Sequence, residues 1–400
     1  MTGSGQKGKR GHAVLGRALA LVHTGQVRTR SALTAELGVT RTTAGAVVAE
    51  LEALGLIEVD ARPGASEGAG RPSHRIAVHP GGPVVLAAQV HVDGYQVALV
   101  GLGGRVVART ADRVVVPAEP DRVIRAAVEA GLALLRDSGR RCAGAGLAVP
   151  SAVAEPDGTA LNPLHVAWPT GAPVRETMAA EIARAGLPGA AAVANDINLT
   201  ALAEHRHGAG RGARHLLVVA TGHRGVGGAL VVDGRLYRGG AGLAMEVGHL
   251  TVNPRGRPCH CGGRGCLDVE TDPLALLAAA GREPDPDRSP LEQALALLDR
   301  ENADLAVRAA TSAVVDRLGI GLAGLVNVLN PDRVLLGGLH GGLLRAAPRR
   351  LPAVVADWSL WGRSGSVPLV AAELEDGSLV GAAELAWQPV LDDPLGTLGR

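Results

Sequence analysis

The chain has 400 residues, 46% hydrophobic and 20% charged; this is the balance of a globular protein too long for one compact core, so two or three domains are expected. Net charge is +1 and says nothing by itself about nucleic acid, but residues 1–80 hold ten Lys/Arg against six Asp/Glu, leaving −3 on the remainder. No basic-then-apolar leader opens the sequence and no unbroken apolar run reaches the ~18–20 residues of a membrane span, so a cytoplasmic protein without a membrane partner is expected.

In chain order, residues 1–11 are Gly/Lys-rich and read as a disordered tail. From Gly11 to Thr24, Leu15, Leu19 and Val22 recur at helical spacing. Thr29 is the expected N-cap of a second helix ending at Leu37, with Gly38 as its stop. Thr40 caps a third, in which Val47, Leu51 and Leu54 share a face and Gly55 ends the helix. Strands are expected at 56–60 and 74–78, flanking a loop of Gly, Pro and Arg. Helix, helix–turn–helix and a two-stranded wing make a DNA-reading head over residues 12–80. Arg41, Thr42 and Thr43 open its third helix, where they can reach base edges or phosphates in a major groove. Arg71, with Arg62 and Arg75, is placed to touch backbone or minor groove from the wing. A small helical domain that binds protein is the alternative.

After Pro80 the texture is α/β. Strands are expected at 84–92, 96–102, 105–108 and 143–149, with a helix at 123–137. A second set has strands at 216–220, 227–232, 249–252 and 334–336 and a long helix over 309–329. Two successive sets imply two lobes with a cleft between them, over residues 81–390.

Four cysteines occur, and Cys259, Cys261 and Cys266 lie within eight residues. In a chain of this length that spacing points to a metal before disulfides.

These features resemble the ROK family, named for repressors, open reading frames and sugar kinases. The likeness is carried by Glu246-Val247-Gly248-His249, then Cys259-His260-Cys261-Gly262-Gly263-Arg264-Gly265-Cys266, and by Gly70-Arg71-Pro72 in the wing. It implies a winged helix-turn-helix ahead of an actin/hexokinase-like (RNase H-like) sugar-kinase body, which is α/β. Zinc wants four ligands in a tetrahedron, and Cys259, Cys261 and Cys266 supply three. His249 is the natural fourth, which closes the shell and makes the zinc structural over the motif 249–266. His260 is the alternative ligand, and three reduced cysteines in a Gly-rich loop the plainer reading.

The resemblance also implies a sugar site. Asn195-Asp196 matches the family's pair in which the aspartate is the kinase's general base; Glu246 and His249 match sugar contacts; and Asn162, followed by Trp168, resembles the segment that closes over the sugar. Three departures stand out. Leu267-Asp268 replaces Leu-Glu, so Asp268 is one methylene shorter than the family's sugar-binding glutamate; Pro150-Ser151 replaces Pro-Gly; and Met245 replaces a glycine. The family's kinases open their body with Asp-x-Gly-Gly-Thr, which cradles ATP phosphates, whereas this chain reads His91-Val92-Asp93-Gly94-Tyr95-Gln96. The second glycine turn, Gly225-Val226-Gly227-Gly228, survives. Phosphoryl transfer depends on positioning phosphate and metal. The expectation is therefore a sugar-responsive repressor, a homodimer or higher homo-oligomer on a palindromic double-stranded DNA operator, with an active sugar kinase, or a bifunctional protein, as the alternative.

Overall fold

Local chemistry sets the first elements. The Thr29 hydroxyl accepts from the Ala32 N–H and Gly38 closes the far end at φ 63°, so a helix forms over Arg30–Leu37 (α2). The Thr40 hydroxyl accepts from the Thr43 N–H and starts Arg41–Ala53 (α3). Both caps and both stops fall where the sequence puts them. The computed structural model describes residues 4–60, 74–92, 94–113, 119–161, 163, 166, 168–222, 225–299, 304–360 and 367–399. Arg71 with the rest of the Gly-Arg-Pro wing, Asp93 and Asn162 lie outside the described residues.

A long first helix, Ser4–His23 (α1), starts seven residues before Gly11. With α2 and α3 it precedes the antiparallel strands Ile57–Asp60 (β1) and Arg75–Val78 (β2). Arg28 and Thr29 add a short rung to β2.

Two five-stranded sheets follow. The first contains Val84–His91 (β3), Gly94–Gly101 (β4), Arg105–Arg113 (β5) and Cys142–Val149 (β6). A two-residue hairpin, Ala152–Val153 (β7) with Ala160–Leu161 (β8), precedes the sheet's last strand, Ala192–Asn195 (β9). Pro120–Ser138 (α4) and Val174–Arg184 (α5) pack on this sheet. Asp196–His207 (α6) then crosses to the second sheet: His215–Thr221 (β10), Val226–Val232 (β11), Arg235–Leu236 (β12), Arg333–Gly337 (β13) and Leu369–Ala371 (β14). The orders are β5-β4-β3-β6-β9 and β12-β11-β10-β13-β14. In each, the first three strands in sequence form an antiparallel meander and the last two run parallel to the first. The same topology used twice is the two-lobed, actin/hexokinase-like architecture.

The second lobe also carries Leu267–Thr271 (α7), Pro273–Ala279 (α8), Pro290–Leu297 (α9), Leu305–Leu329 (α10), Leu339–Ala346 (α11) and Arg350–Trp358 (α12). By length and composition α10 could cross a membrane, but half of it is buried, against the core formed by Leu267, Leu336 and Leu351. Gly377–Asp392 (α13) and Pro394–Leu398 (α14) return the chain to the first lobe. Leu15, Leu19 and Val22 of α1 share one core with Trp387 and Val390 of α13. The head is thereby built onto the body by a common hydrophobic core.

One expected strand is absent. Residues 249–252 form no sheet: Val247–His249 is a single 3-10 turn, and Thr251 makes only an isolated bridge to Cys266. The reason lies in the following loop, where the Gly265 carbonyl accepts from both Val252 and Asn253 N–H and folds the segment back on the cysteines.

Candidate ligand cleft and metal cluster

Between the lobes lies a cleft of about 470 Å³, lined by residues from both. Asn195, Asp196, Glu246, His249 and Asp268 all line it, so five of the six residues expected at a sugar site meet at one place. Trp168 is instead buried in the core of the first lobe.

β9 and α6 deliver the first pair. Asn195 is the N-cap of α6: its Oδ1 accepts from the Ile197 and Asn198 N–H groups at 2.9 and 3.1 Å. Its Nδ2 donates to the Ser151 carbonyl at 3.2 Å, and the same side chain hydrogen-bonds Asp196. The Asp196 Oδ1 accepts from its neighbour's N–H at 2.8 Å. Burial nevertheless pushes its carboxyl up to about 7, and the nearby Glu246 adds to the rise. Glu246 is itself raised by desolvation, with His249 opposing.

The residues that depart from the family pattern each have a structural consequence. Met245 sits at φ 72°, the left-handed region where a glycine rests without strain. The strain falls beside Glu246. Ser151 is buried and its hydroxyl donates to Leu161 at 3.0 Å, tying down the β7–β8 hairpin. The short Asp268 side chain reaches the cleft wall but is already engaged. Its Oδ1 accepts from the Val226 N–H at 2.7 Å, and its Oδ2 pairs with His260 Nε2 at 3.0 Å. The carboxylate thus joins the surviving glycine turn to the cysteine loop. His260, weighed from sequence only as a metal ligand, lines the cleft in its own right. Its position between two cysteines hid that role.

His249, Cys259, Cys261 and Cys266 form a cluster whose ligand atoms all lie within 4.8 Å of one another. The Cys261 and Cys266 sulfurs are 3.7 Å apart, and Cys259 Sγ is 3.8 Å from His249 Nδ1. A tetrahedral centre with thiolate arms of about 2.3 Å has edges of about 3.8 Å, so the donors fit a metal ion. Burial, then the neighbouring thiols, pushes the Cys266 thiol up to about 12; a bound cation would reverse that preference. His249 faces the cluster with Nδ1, leaving Nε2 for the cleft.

The glycine turn lines the cleft at Gly222, Gly225, Gly227 and Gly228. Among the described residues of the β3–β4 hairpin, none does. Tyr95 turns into the first-lobe core instead. In the head, Arg41, Thr42 and Thr43 are exposed on the first turn of α3. Gly45, one turn on, lies against the Arg30 guanidinium, the end of a flexible side chain.

This architecture defines a class: a head of three helices and a two-stranded sheet on a two-lobed, sugar-kinase-like body with a cysteine-rich loop at the cleft. The sequence profile of the ROK family matches residues 91–388, and the chain belongs to that family. It is 31% identical over 232 residues to a glucokinase of Streptomyces coelicolor, covering 53% of this chain and 70% of the relative. It is 34% identical over 204 residues to a putative xylose repressor of a Caldicellulosiruptor species, and this match spans about half of each protein, 48% and 49%. A crystal structure described as a ROK family transcriptional regulator, homologue of the E. coli MLC protein, superposes with a TM-score of 0.73 at 23% identity over 98% of both chains. That likeness establishes the fold from head to C-terminus.

Proposed function

We propose that this protein is a sugar-responsive DNA-binding transcription regulator, acting as a repressor in the cytoplasm. One observation carries the reading. Five of the six residues expected at a sugar site line one cleft, while the hairpin that would hold nucleotide phosphate lacks Asp-x-Gly-Gly-Thr and turns Tyr95 into the core. Support also comes from the head, whose exposed Arg41, Thr42 and Thr43 stand at a helix N-terminus. Arg71 would join the same DNA contact.

A sugar or sugar derivative would be held by Asn195, Asp196, Glu246 and His249, together with Asn162. Asp268 acts through His260 and Val226. His249, Cys259, Cys261 and Cys266 would hold one structural zinc ion, whose role is to fix the loop and the His249 ring. Two copies would place their heads on successive half-sites, so the operator is palindromic and the protein a homodimer. Sugar that binds the closed cleft better than the open one shifts the population and releases DNA.

The second reading, an ATP-dependent sugar kinase, is favoured by Asp196, raised to about 7, beside a surviving glycine turn. A panel of D-glucose, D-xylose and N-acetyl-D-glucosamine separates the two. The regulator reading expects a rise in melting temperature with one of these sugars or a close derivative, and no sugar-dependent ADP with Mg-ATP. Sustained turnover contradicts it.

A further inference from the structure

The last residue of α1, His23, is buried where head meets body. Its Nε2 lies 2.9 Å from both oxygens of Glu384 on α13, a carboxylate with no exposed surface. His207 Nε2, at the end of α6, meets Glu384 Oε1 at 2.9 Å, and Arg206 Nη1 donates to Oε2 at 2.7 Å. Arg206 also reaches Gln388, one turn along α13, at 2.8 Å. Three helices therefore converge on one carboxylate.

Two histidines and a glutamate at such distances could hold a metal ion. The hydrogen bonds argue otherwise. His23 Nδ1 accepts from the Gly103 N–H at 2.9 Å, so its Nε2 carries the proton and donates to Glu384. Arg206 then occupies the remaining approach to the carboxylate. Glu384 is held well below the usual carboxylate range, despite burial, by His23 and His207. It is a charged pin with its partners satisfied.

The same two helices are also pinned at the other end. The Thr200 hydroxyl donates to the Asp196 carbonyl at 2.9 Å and lies 3.0 Å from Ser378 Oγ, which reaches that carbonyl at 3.3 Å. At Gly381 a side chain would run into the Leu199 carbonyl, so α6 and α13 touch backbone to backbone between the pins. At Gly16, a Cβ would meet the Leu391 and Asp392 carbonyls at 2.5 and 2.6 Å, so α1 is seated as closely on α13. One end of α6 carries Asp196 in the cleft; the other, about 16 Å away, grips the head through Glu384.

From this we infer that Glu384 is a positioning residue that makes α6, α13 and α1 one rigid piece, through which the state of the cleft sets the placement of the DNA-reading head. The inference rests on the regulator reading for its purpose, but its test needs neither sugar nor DNA. Hydrogen exchange of the full-length protein is compared for wild type, Glu384→Ala and Glu384→Gln. Loss of the pin should speed exchange at residues 101–104 and 20–25 and, by at least about threefold, at residues 193–200 in the cleft. Strands β6 and β13 should be unchanged, and Glu384→Gln, whose single carbonyl oxygen can still accept from both histidines but whose amide meets Arg206 donor to donor, should restore only part of the cleft's protection. His207→Gln carries the same prediction should Glu384→Ala not fold. Faster exchange confined to the neighbourhood of residue 384, or spread evenly over the body, overturns the inference and leaves the sugar and operator tests untouched.

Discussion

Asp196 faces two opposed demands. On the proposed reading it accepts a hydrogen bond from a sugar hydroxyl, most strongly as the carboxylate, yet burial and the nearby Glu246 push its carboxyl from 3.8 to about 7. Because the folded-state value lies above the unfolded one, its contribution to stability is full below about pH 4 and is lost as pH rises through 7. Asp196→Asn should flatten the pH dependence of the melting temperature between pH 4 and 7 and stabilise the protein by about 1–3 kcal/mol at pH 7. Unchanged curves would mean that the carboxylate is solvated. The pair Asn195-Asp196 was visible in the sequence only through the family resemblance; that Asn195 caps the helix Asp196 begins came from the structure. Glu384 was not visible at all. Its partners His23, Arg206 and His207 lie at least 177 residues away along the chain, and no spacing rule brings them together.

Among the elements, legibility followed locality. Helices α2 and α3 announce themselves through Thr29, Gly38 and Thr40, each acting within four residues. Helices α6 and α13 carry no such face. Ile197 and Ala201 of α6 pack against the second sheet while Leu199 packs with α13, so the helix is apolar on opposite sides and its periodicity is blurred. The segment after His249 misled for a different reason. Its β-branched residues suit a strand, but the loop that binds it back is organised by Cys259, Cys261, Cys266 and the Gly265 carbonyl. On the proposed reading, a bound ion takes the place of a sheet there. Elemental analysis should find about one equivalent of zinc per chain, and Cys266→Ser should lose it, with the melting temperature falling by roughly 5 °C or more. A Cys266→Ser protein that melts like wild type with its metal retained would remove the cluster from the account.

For the whole molecule, two lobes could be read from the alternation of strands and helices, but their common strand order could not, because it depends on pairings between distant segments. Nor did the sequence show that head and body share a core. Leu15, Leu19 and Val22 read only as the apolar face of the head's first helix, whereas they bury against Trp387 and Val390 near the far end of the chain. A head seated this way would not swing freely; its placement would follow the body's, as a sugar-dependent DNA switch requires. The most direct measurement is selection of double-stranded DNA from a random pool by the full-length protein, repeated with Arg41→Ala/Thr42→Ala. The account predicts enrichment of a palindromic site with half-sites about one helical turn, or a multiple of it, apart, lost in the double variant. No enriched sequence, or one bound equally well by the variant, would contradict it.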